Sequence, residues 1–455
     1  MHAMKTSVRT LLALGSAALV LAGCGKLKAI NAPAAQSGSA DFSTYAALGT
    51  SISAGVQSGG LVVHHQQKSF TYLFARQVGT PFTIPSVSAD GLPPLLRLVS
   101  LSPLIISNAG RVPGVPTNLL QPTPYNNMGV PFAIVADASD TTNYNNTPDR
   151  AGAFALVGRH LGPVADQALA LSPTFLTIEY GSNEVLGAAT RGSGTALLPP
   201  ATYAFLLTAL MDKIAGAVPT AKFAIVNVPD VTSVPFVTTF PAVVLDANGN
   251  PVLPLIPLIG SEGGPAAPLS PLDHVLLTAA DSMAIGTGFP VGTFSYLTGA
   301  PGNDRPLLNS QVLSTTEAAS IQASVDAYNV AIAGIATARG GALLDLNALL
   351  RQAATTGFTY QGQLYTSDFI TGGLFSLDGV HPTDIAQGIL CNTLIDAVNA
   401  EFGAKIQHVN LATVASNNSS RMLPGRIEGR ALPWIHYEAG GAGWKMFPWR
   451  TGGDR

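Results

Sequence analysis

Tyr45-Ala46-Ala47-Leu48-Gly49-Thr50-Ser51-Ile52-Ser53-Ala54-Gly55 reads as a strand running into a tight turn. The apolar run 45–48 is long enough for a buried strand and too short for a buried helix. Gly49 ends it, hydroxyl side chains follow, and Ser51 stands where a helix can begin. The first residues of a helix carry N–H groups without intrahelical acceptors, which favour negative charge nearby. A serine so placed can be a nucleophile whose own N–H helps to hold the oxyanion it creates. Taken alone, Gly-Thr-Ser after a strand is also read as an ordinary turn, so partners must come from elsewhere in the chain.

Outward from this strand, strand-like and helix-like stretches alternate. Leu104-Ile105-Ile106 leads into the loop 107–114, and 164–171 has helical spacing that stops before Ser172-Pro173. The run 175–180 predicts a strand ending at Gly181-Ser182-Asn183-Glu184. An amphipathic helix is expected over 203–218 and another strand over 223–228. Ser314-Thr315-Thr316-Glu317 is a capping box that predicts a long helix to about Arg339. A last strand at 342–346 and a last helix at 382–402 complete the pattern. Such alternation argues for a parallel sheet with helices on both faces.

Between 231 and 310 the alternation breaks into Pro-, Gly- and apolar-rich chain, as in Pro251-Val252-Leu253-Pro254-Leu255-Ile256-Pro257. This is read as a large insertion over one edge of the sheet, where functional loops gather. Asp246-Ala247-Asn248-Gly249-Asn250 lacks the glycine and the acidic residue that a calcium loop needs, so Asn248-Gly249 is expected to be a hairpin turn. His64-His65 point different ways in regular structure and are expected in a solvated loop rather than on a metal. Gly49 and Gly55 do not make a dinucleotide fingerprint.

With 455 residues the chain is ample for a sizeable core, yet only 11% of residues are charged and the net charge is −3. That balance gives no electrostatic footprint for nucleic acid. After the N-terminus no segment offers about 18 uninterrupted apolar residues, so the body is read as soluble.

The N-terminus reads as a targeting signal: Lys5 and Arg9 precede an apolar stretch at 11–21, with Met4 an alternative start. It closes on Leu21-Ala22-Gly23-Cys24, which resembles the bacterial lipobox; an ordinary signal peptide with a chance cysteine is the other reading. The resemblance implies removal of residues 1–23, lipidation of Cys24, and, with Gly25-Lys26 following, an outer-membrane anchor in the bacterial cell envelope. Residues 24–40 then form the lipidated cysteine and a flexible tether. The only other cysteine, Cys391, is expected as a small core residue, leaving no intramolecular disulfide if Cys24 carries lipid. The tail 411–455 is atypical. It holds all three tryptophans, Trp434, Trp444 and Trp449, and Ile427-Glu428-Gly429-Arg430 matches a protease-cleavage sequence used in recombinant expression.

The partners for Ser51 come from Ser376-Leu377-Asp378-Gly379-Val380-His381-Pro382-Thr383. Asp378 can accept a hydrogen bond from one ring nitrogen of His381, leaving the other to take a proton from a serine. Separately, Asn183 reads as a turn residue and Asp378 with His381 as a hydrogen bond at a helix start. The adjacent pair Asp273-His274 is less able to make the carboxylate–imidazole contact.

Together, in chain order, Gly-Thr-Ser, Gly-Ser-Asn-Glu and Asp-Gly-Val-His-Pro resemble the signature blocks of the SGNH/GDSL hydrolases. The resemblance covers about 41–410, with 231–310 as an insertion. It implies a three-layer α/β/α sandwich with a mostly parallel sheet in flavodoxin-like order, and ester hydrolysis without cofactor or metal. Carried over residue by residue, Ser51 matches the nucleophile, His381 the general base and Asp378 its orienting partner. Ser51 and Asn183 match two donors of the oxyanion hole. The third, a glycine of the second block, is expected at Gly114 with Gly110 in reserve. Thr50 and Glu184 depart from the family pattern, which has Asp at both places. The function expected is a serine-dependent esterase or lipase-like hydrolase on acyl or acetyl esters of small molecules, lipids or glycans. The alternative is a non-catalytic envelope lipoprotein using the fold as a binding scaffold.

Overall fold

The computed structural model describes residues 36–101, 104–142, 148–193, 197–415 and 435–437. The signal stretch, Cys24, most of the tether, the three tryptophans and the 427–430 motif lie outside the described residues.

β1 (Tyr45–Gly49) opens the central sheet. An antiparallel pair outside that sheet, β2 (Arg97–Leu101) and β3 (Leu104–Ser107), precedes β4 (Asn127–Gly129), β5 (Phe175–Glu179), β6 (Lys222–Val226) and β7 (Ala342–Leu344). The order across the sheet is β7-β6-β5-β1-β4, every pair parallel. Renumbered within the sheet this is 2-1-3-4-5, the flavodoxin-like order expected from the sequence. β1 and β5 are buried along their whole length, as strands covered on both faces must be, and β5 carries Thr177 and Glu179 as its buried polar residues.

Helices cover both faces. In chain order they include α1 (Ser51–Ala54), α2 (Val63–Gln66), α3 (Phe70–Val78), α4 (Val164–Ala170), α5 (Ser182–Ala189), α6 (Pro200–Ala217), α7 (Thr315–Arg339), α8 (Leu346–Thr355) and α9 (Asp384–Phe402). α3 packs with α9, while α6 packs with α4 and α7, giving the two outer layers. The capping box at the start of α7 forms as predicted: the Ser314 hydroxyl accepts from Glu317 N and the Glu317 carboxylate accepts from Ser314 N. α9 starts two residues later than expected. Pro382 still pairs in an antiparallel bridge with Phe375, and Thr383 is the cap. Cys391 on α9 is fully buried.

The 231–310 stretch builds structure of its own. It contributes the pairs Ile259–Gly260 with Ala267–Pro268 and Phe240–Pro241 with His274–Val275, and Leu258, Leu276, Phe289 and Leu307 join the core. Asp246 and Asn250 close the turn at Asn248-Gly249, with Gly249 in the left-handed region at φ 83°. Among the described residues no helix is long and apolar enough to cross a membrane.

Successive connections leave β1 toward β4 and β5 toward β6, so the topological switch lies between β1 and β5. Open parallel sheets bind ligands at the carboxyl ends of strands at that point. Ser51 follows β1 and Asn183 follows β5.

Candidate active site

The turn after β1 is organised by a carboxylate from the neighbouring strand. Glu179, the last residue of β5, accepts from Thr50 N at 2.8 Å, from the Thr50 hydroxyl at 2.8 and 2.9 Å, and from the Ser53 hydroxyl at 2.9 Å. A Cβ at residue 49 would lie 2.3 Å from Ser53 Oγ and 3.0 Å from Glu179 Oε2, so only glycine lets the carboxylate reach both. Burial pushes the Glu179 carboxyl up from its ordinary value, and the bonds from Thr50 and Ser53 pull partly against that. The departure at Thr50 therefore has a structural counterpart: the carboxylate that supports this turn arrives from β5.

Thr50 is extended and Ser51 is the first residue of α1, so the Ser51 N–H has no intrahelical acceptor. Ser51 is 6% exposed.

The loop 376–383 is tightly closed. Ser376 N donates to His381 O at 2.8 Å and Gly379 N to Ser376 O at 2.9 Å, with Gly379 left-handed at φ 71°. A Cβ on Gly379 would meet Leu277 Cδ1 at 2.8 Å, and Phe236 N donates to the Gly379 carbonyl at 2.9 Å; the insertion thus buttresses this turn.

Within the loop Asp378, 0% exposed, accepts four hydrogen bonds. His381 Nδ1 donates to Oδ2 at 2.9 Å and Gly59 N to the same oxygen at 2.7 Å. Val380 N and His381 N donate to Oδ1 at 2.9 and 2.8 Å. Burial alone would raise this carboxyl. The imidazole beside it and the backbone donors outweigh burial and hold it below its ordinary value. An ionised Asp378 places the proton of a neutral His381 on Nδ1, leaving Nε2 as the basic nitrogen.

Three further bonds tie the two loops together. Ser58 N donates to Ser376 Oγ at 2.8 Å, Leu377 N to Ser58 Oγ at 3.4 Å, and Gln387 Nε2 on α9 to Ile52 O at 3.0 Å. The residue after the candidate nucleophile is thereby fastened to the helix that follows the candidate base.

Asn183 sits on the first turn of α5, and its side-chain amide donates to Ala133 O at 2.8 Å. That amide carries two N–H donors, so one bond to Ala133 leaves a second. The next residue, Glu184, accepts from Val135 N at 2.7 Å. Both side chains thus clamp the loop that leaves β4.

Gly114 is not among these groups. Its N–H donates to Gly91 O at 2.8 Å, and it follows β3, a strand outside the parallel sheet; Gly110 shares that placement. The strand that pairs with β1 on the side away from β5 is β4, whose three residues are too few to show a period. The histidine pair also differs from expectation. His65 is buried on α2, with Nδ1 2.6 Å from Asp384 Oδ1 and Nε2 3.1 Å from Gln57 Nε2, while Lys68 Nζ lies 2.9 Å from Asp384 Oδ2. Asp273 accepts from Thr315 N and Oγ1 at 2.8 and 2.9 Å, which fixes the start of α7. Glu179 and Gly59 were missed in the sequence; a carboxylate ending a buried strand was the available signal for the first, and none marked the second.

Fold and site together define an α/β/α protein with a buried aspartate–histidine pair on the loop before α9 and a serine at the switch point of its sheet. No family model matches the chain, and no curated protein matches it. Two solved structures are similar to it. A GDSL-like lipase from Parabacteroides merdae has 11% identity and a TM-score of 0.35, covering 79% of this chain and 97% of its own. An extracellular lipase from Streptomyces rimosus has 16% identity and a TM-score of 0.33, covering 78% of this chain and 98% of its own.

Proposed function

We propose that the protein is a serine ester hydrolase of the SGNH/GDSL type. The observation that carries this reading is the fully buried Asp378, saturated by four donors and oriented on His381 Nδ1, in a loop bonded to the segment that follows Ser51. A buried carboxylate held charged beside an imidazole stabilises the imidazolium formed when that ring accepts a proton.

In this reading Ser51 Oγ attacks the ester carbonyl carbon as its proton passes to His381 Nε2. The Ser51 N–H and the Asn183 amide hold the tetrahedral oxyanion, each such donor contributing about 3 kcal/mol to transition-state stabilisation. The bond from the carbonyl carbon to the alcohol oxygen breaks as His381 returns the proton to that oxygen. Water then adds to the acyl-enzyme by the same proton route, releasing acid and regenerating Ser51.

The test is turnover of a chromogenic short-chain ester by purified protein, expected in the wild type and lost in Ser51→Ala and His381→Ala. The alternative is a non-catalytic protein that uses the fold as a binding scaffold. Equal background hydrolysis in all three proteins supports that reading instead. The proposal includes anchoring in the bacterial cell envelope through lipid on Cys24, tested by metabolic labelling with a fatty-acid analogue that Cys24→Ala abolishes.

A further inference from the structure

A cavity of about 550 Å³ lies apart from the site described above: none of Ser51, His381 and Asn183 lines it. Its size is that of small-molecule pockets. The walls come from α2, from the chain entering β2, from Arg111, and from Ser58 and Ser376, the pair that ties the two loops together. Two polar side chains in these walls are buried with one atom unpaired. Gln57 is 2% exposed. His65 Nδ1 faces the Asp384 carboxylate at 2.6 Å, so Nε2 of the neutral ring accepts, and Gln57 Nε2 donates to it at 3.1 Å. Gln57 Oε1 then has no donor among the described residues. The Arg111 side chain is 11% exposed. It donates to Leu95 O at 3.0 Å and to Asp90, and its Nε–H has no acceptor among the described residues. Buried groups without partners are few in native proteins, and each calls for a bound partner.

The charges in the wall decide the sign of the occupant. Arg97 and Arg111 both donate to the same oxygen of Asp90, so two guanidinium charges share one carboxylate. The bond from Arg111 holds the Asp90 carboxyl below its ordinary value, so it is charged. His64 adds no charge at neutral pH: burial first, and then His65 beside it, push its imidazole down to about 4. Lys68 and Asp384, next to His65, offset each other. One positive charge is left over. Between the polar groups the wall is apolar, with Val62, Leu95, Leu96, Leu98 and Leu377. We infer that this cavity binds a small organic acid that carries a hydroxyl on an apolar ring. Its carboxylate pairs with Arg111 and Arg97, its ring lies against the leucines, and its hydroxyl donates to Gln57 Oε1. The carboxylate answers both the surplus charge and the Nε–H, because arginine and carboxylate match in geometry as well as in charge. The ring answers a wall that offers most of its surface no hydrogen bond. This site does not depend on the ester-hydrolase reading.

The experiment is calorimetric titration of the full-length protein at neutral pH with 4-hydroxybenzoate, benzoate, the neutral 4-hydroxybenzamide and inorganic phosphate. 4-Hydroxybenzoate is expected to bind best, about 2- to 10-fold tighter than benzoate, the range of one neutral hydrogen bond. Gln57→Leu is expected to erase that difference and leave benzoate unchanged. Arg111→Gln is expected to weaken both acids about tenfold or more, as loss of a hydrogen bond from a charged group does. Circular dichroism confirms that this variant folds. Arg97, whose side chain is 64% exposed, supplies a second test that the fold tolerates: Arg97→Gln is expected to weaken both acids about threefold through the charge alone. No binding of either acid at millimolar concentration overturns the site. So does binding that neither arginine variant weakens, or the amide or phosphate binding as tightly as 4-hydroxybenzoate. Equal affinity of wild type for benzoate and 4-hydroxybenzoate overturns the hydroxyl contact and gives Gln57 Oε1 to a water molecule.

Discussion

Gly59 N donates to Asp378 Oδ2 at 2.7 Å across 319 residues of sequence. The carboxylate bonded to His381 is thus itself held by the turn that follows α1, and moving one loop moves the other. Asp378→Asn turns one acceptor oxygen into an N–H donor facing other donors. If that nitrogen faces His381 it also favours the wrong ring tautomer. The expected loss is about 10³- to 10⁴-fold in kcat. Ester turnover by the variant, with circular dichroism to confirm folding, checks this.

The Thr50–Glu179 contact predicts the outcome of placing an aspartate at position 50. Thr50→Asp puts a second carboxylate against a fully buried one that is already bonded to this turn. It should destabilise the protein by about 3 kcal/mol or more at neutral pH, as unpaired buried charges do. Adding Glu179→Gln to Thr50→Asp should recover most of the loss. Thr50→Val, which removes only the hydroxyl donor, should cost about 1–3 kcal/mol. Urea unfolding of the four proteins measures all of these, and a Thr50→Asp variant as stable as wild type contradicts the account.

Glu184 gives a pH dependence. Burial raises its carboxyl from an ordinary value of 4.5 to about 7, with the bond from Val135 N pulling the other way. The folded protein therefore keeps the Glu184 proton where the unfolded chain has lost it. This contribution to stability is fully present below about pH 4.5 and falls as the pH rises to about 7. Glu184→Gln removes the titration. Across that interval of about 2.5 units, at about 1.36 kcal/mol per unit, the variant should gain on wild type by on the order of 3 kcal/mol. Denaturant unfolding at pH 4.5, 6 and 7.5 checks it; a constant difference at all three contradicts it.

Much of the frame was legible because local chemistry and global fold agree. The 45–48 run before Gly49, the Ser314–Glu317 capping box and the largely apolar 175–178 run each announce their element within a few residues. Asp378 and His381 were legible because three residues and one tight turn bring them together. What stayed hidden depends on long-range contact. Glu179 reads as the end of a strand, and only the β1–β5 register places it under Thr50, 129 residues away. Gly114 was favoured because 108–114 resembles the second signature block, while the strand that pairs with β1, Asn127–Gly129, is short and flanked by residues that read as a turn. His65 looked solvated because its buried partner Asp384 lies 319 residues on.

The central claim is that Ser51 is activated by His381 and Asp378, and mass spectrometry after exposure to a fluorophosphonate probe tests it most directly. The account predicts one covalent adduct, mapped to the peptide carrying Ser51, formed rapidly by wild type and strongly slowed in His381→Ala and Asp378→Asn. An unlabelled Ser51 in folded wild-type protein, or labelling that continues at the same rate without His381, would contradict it.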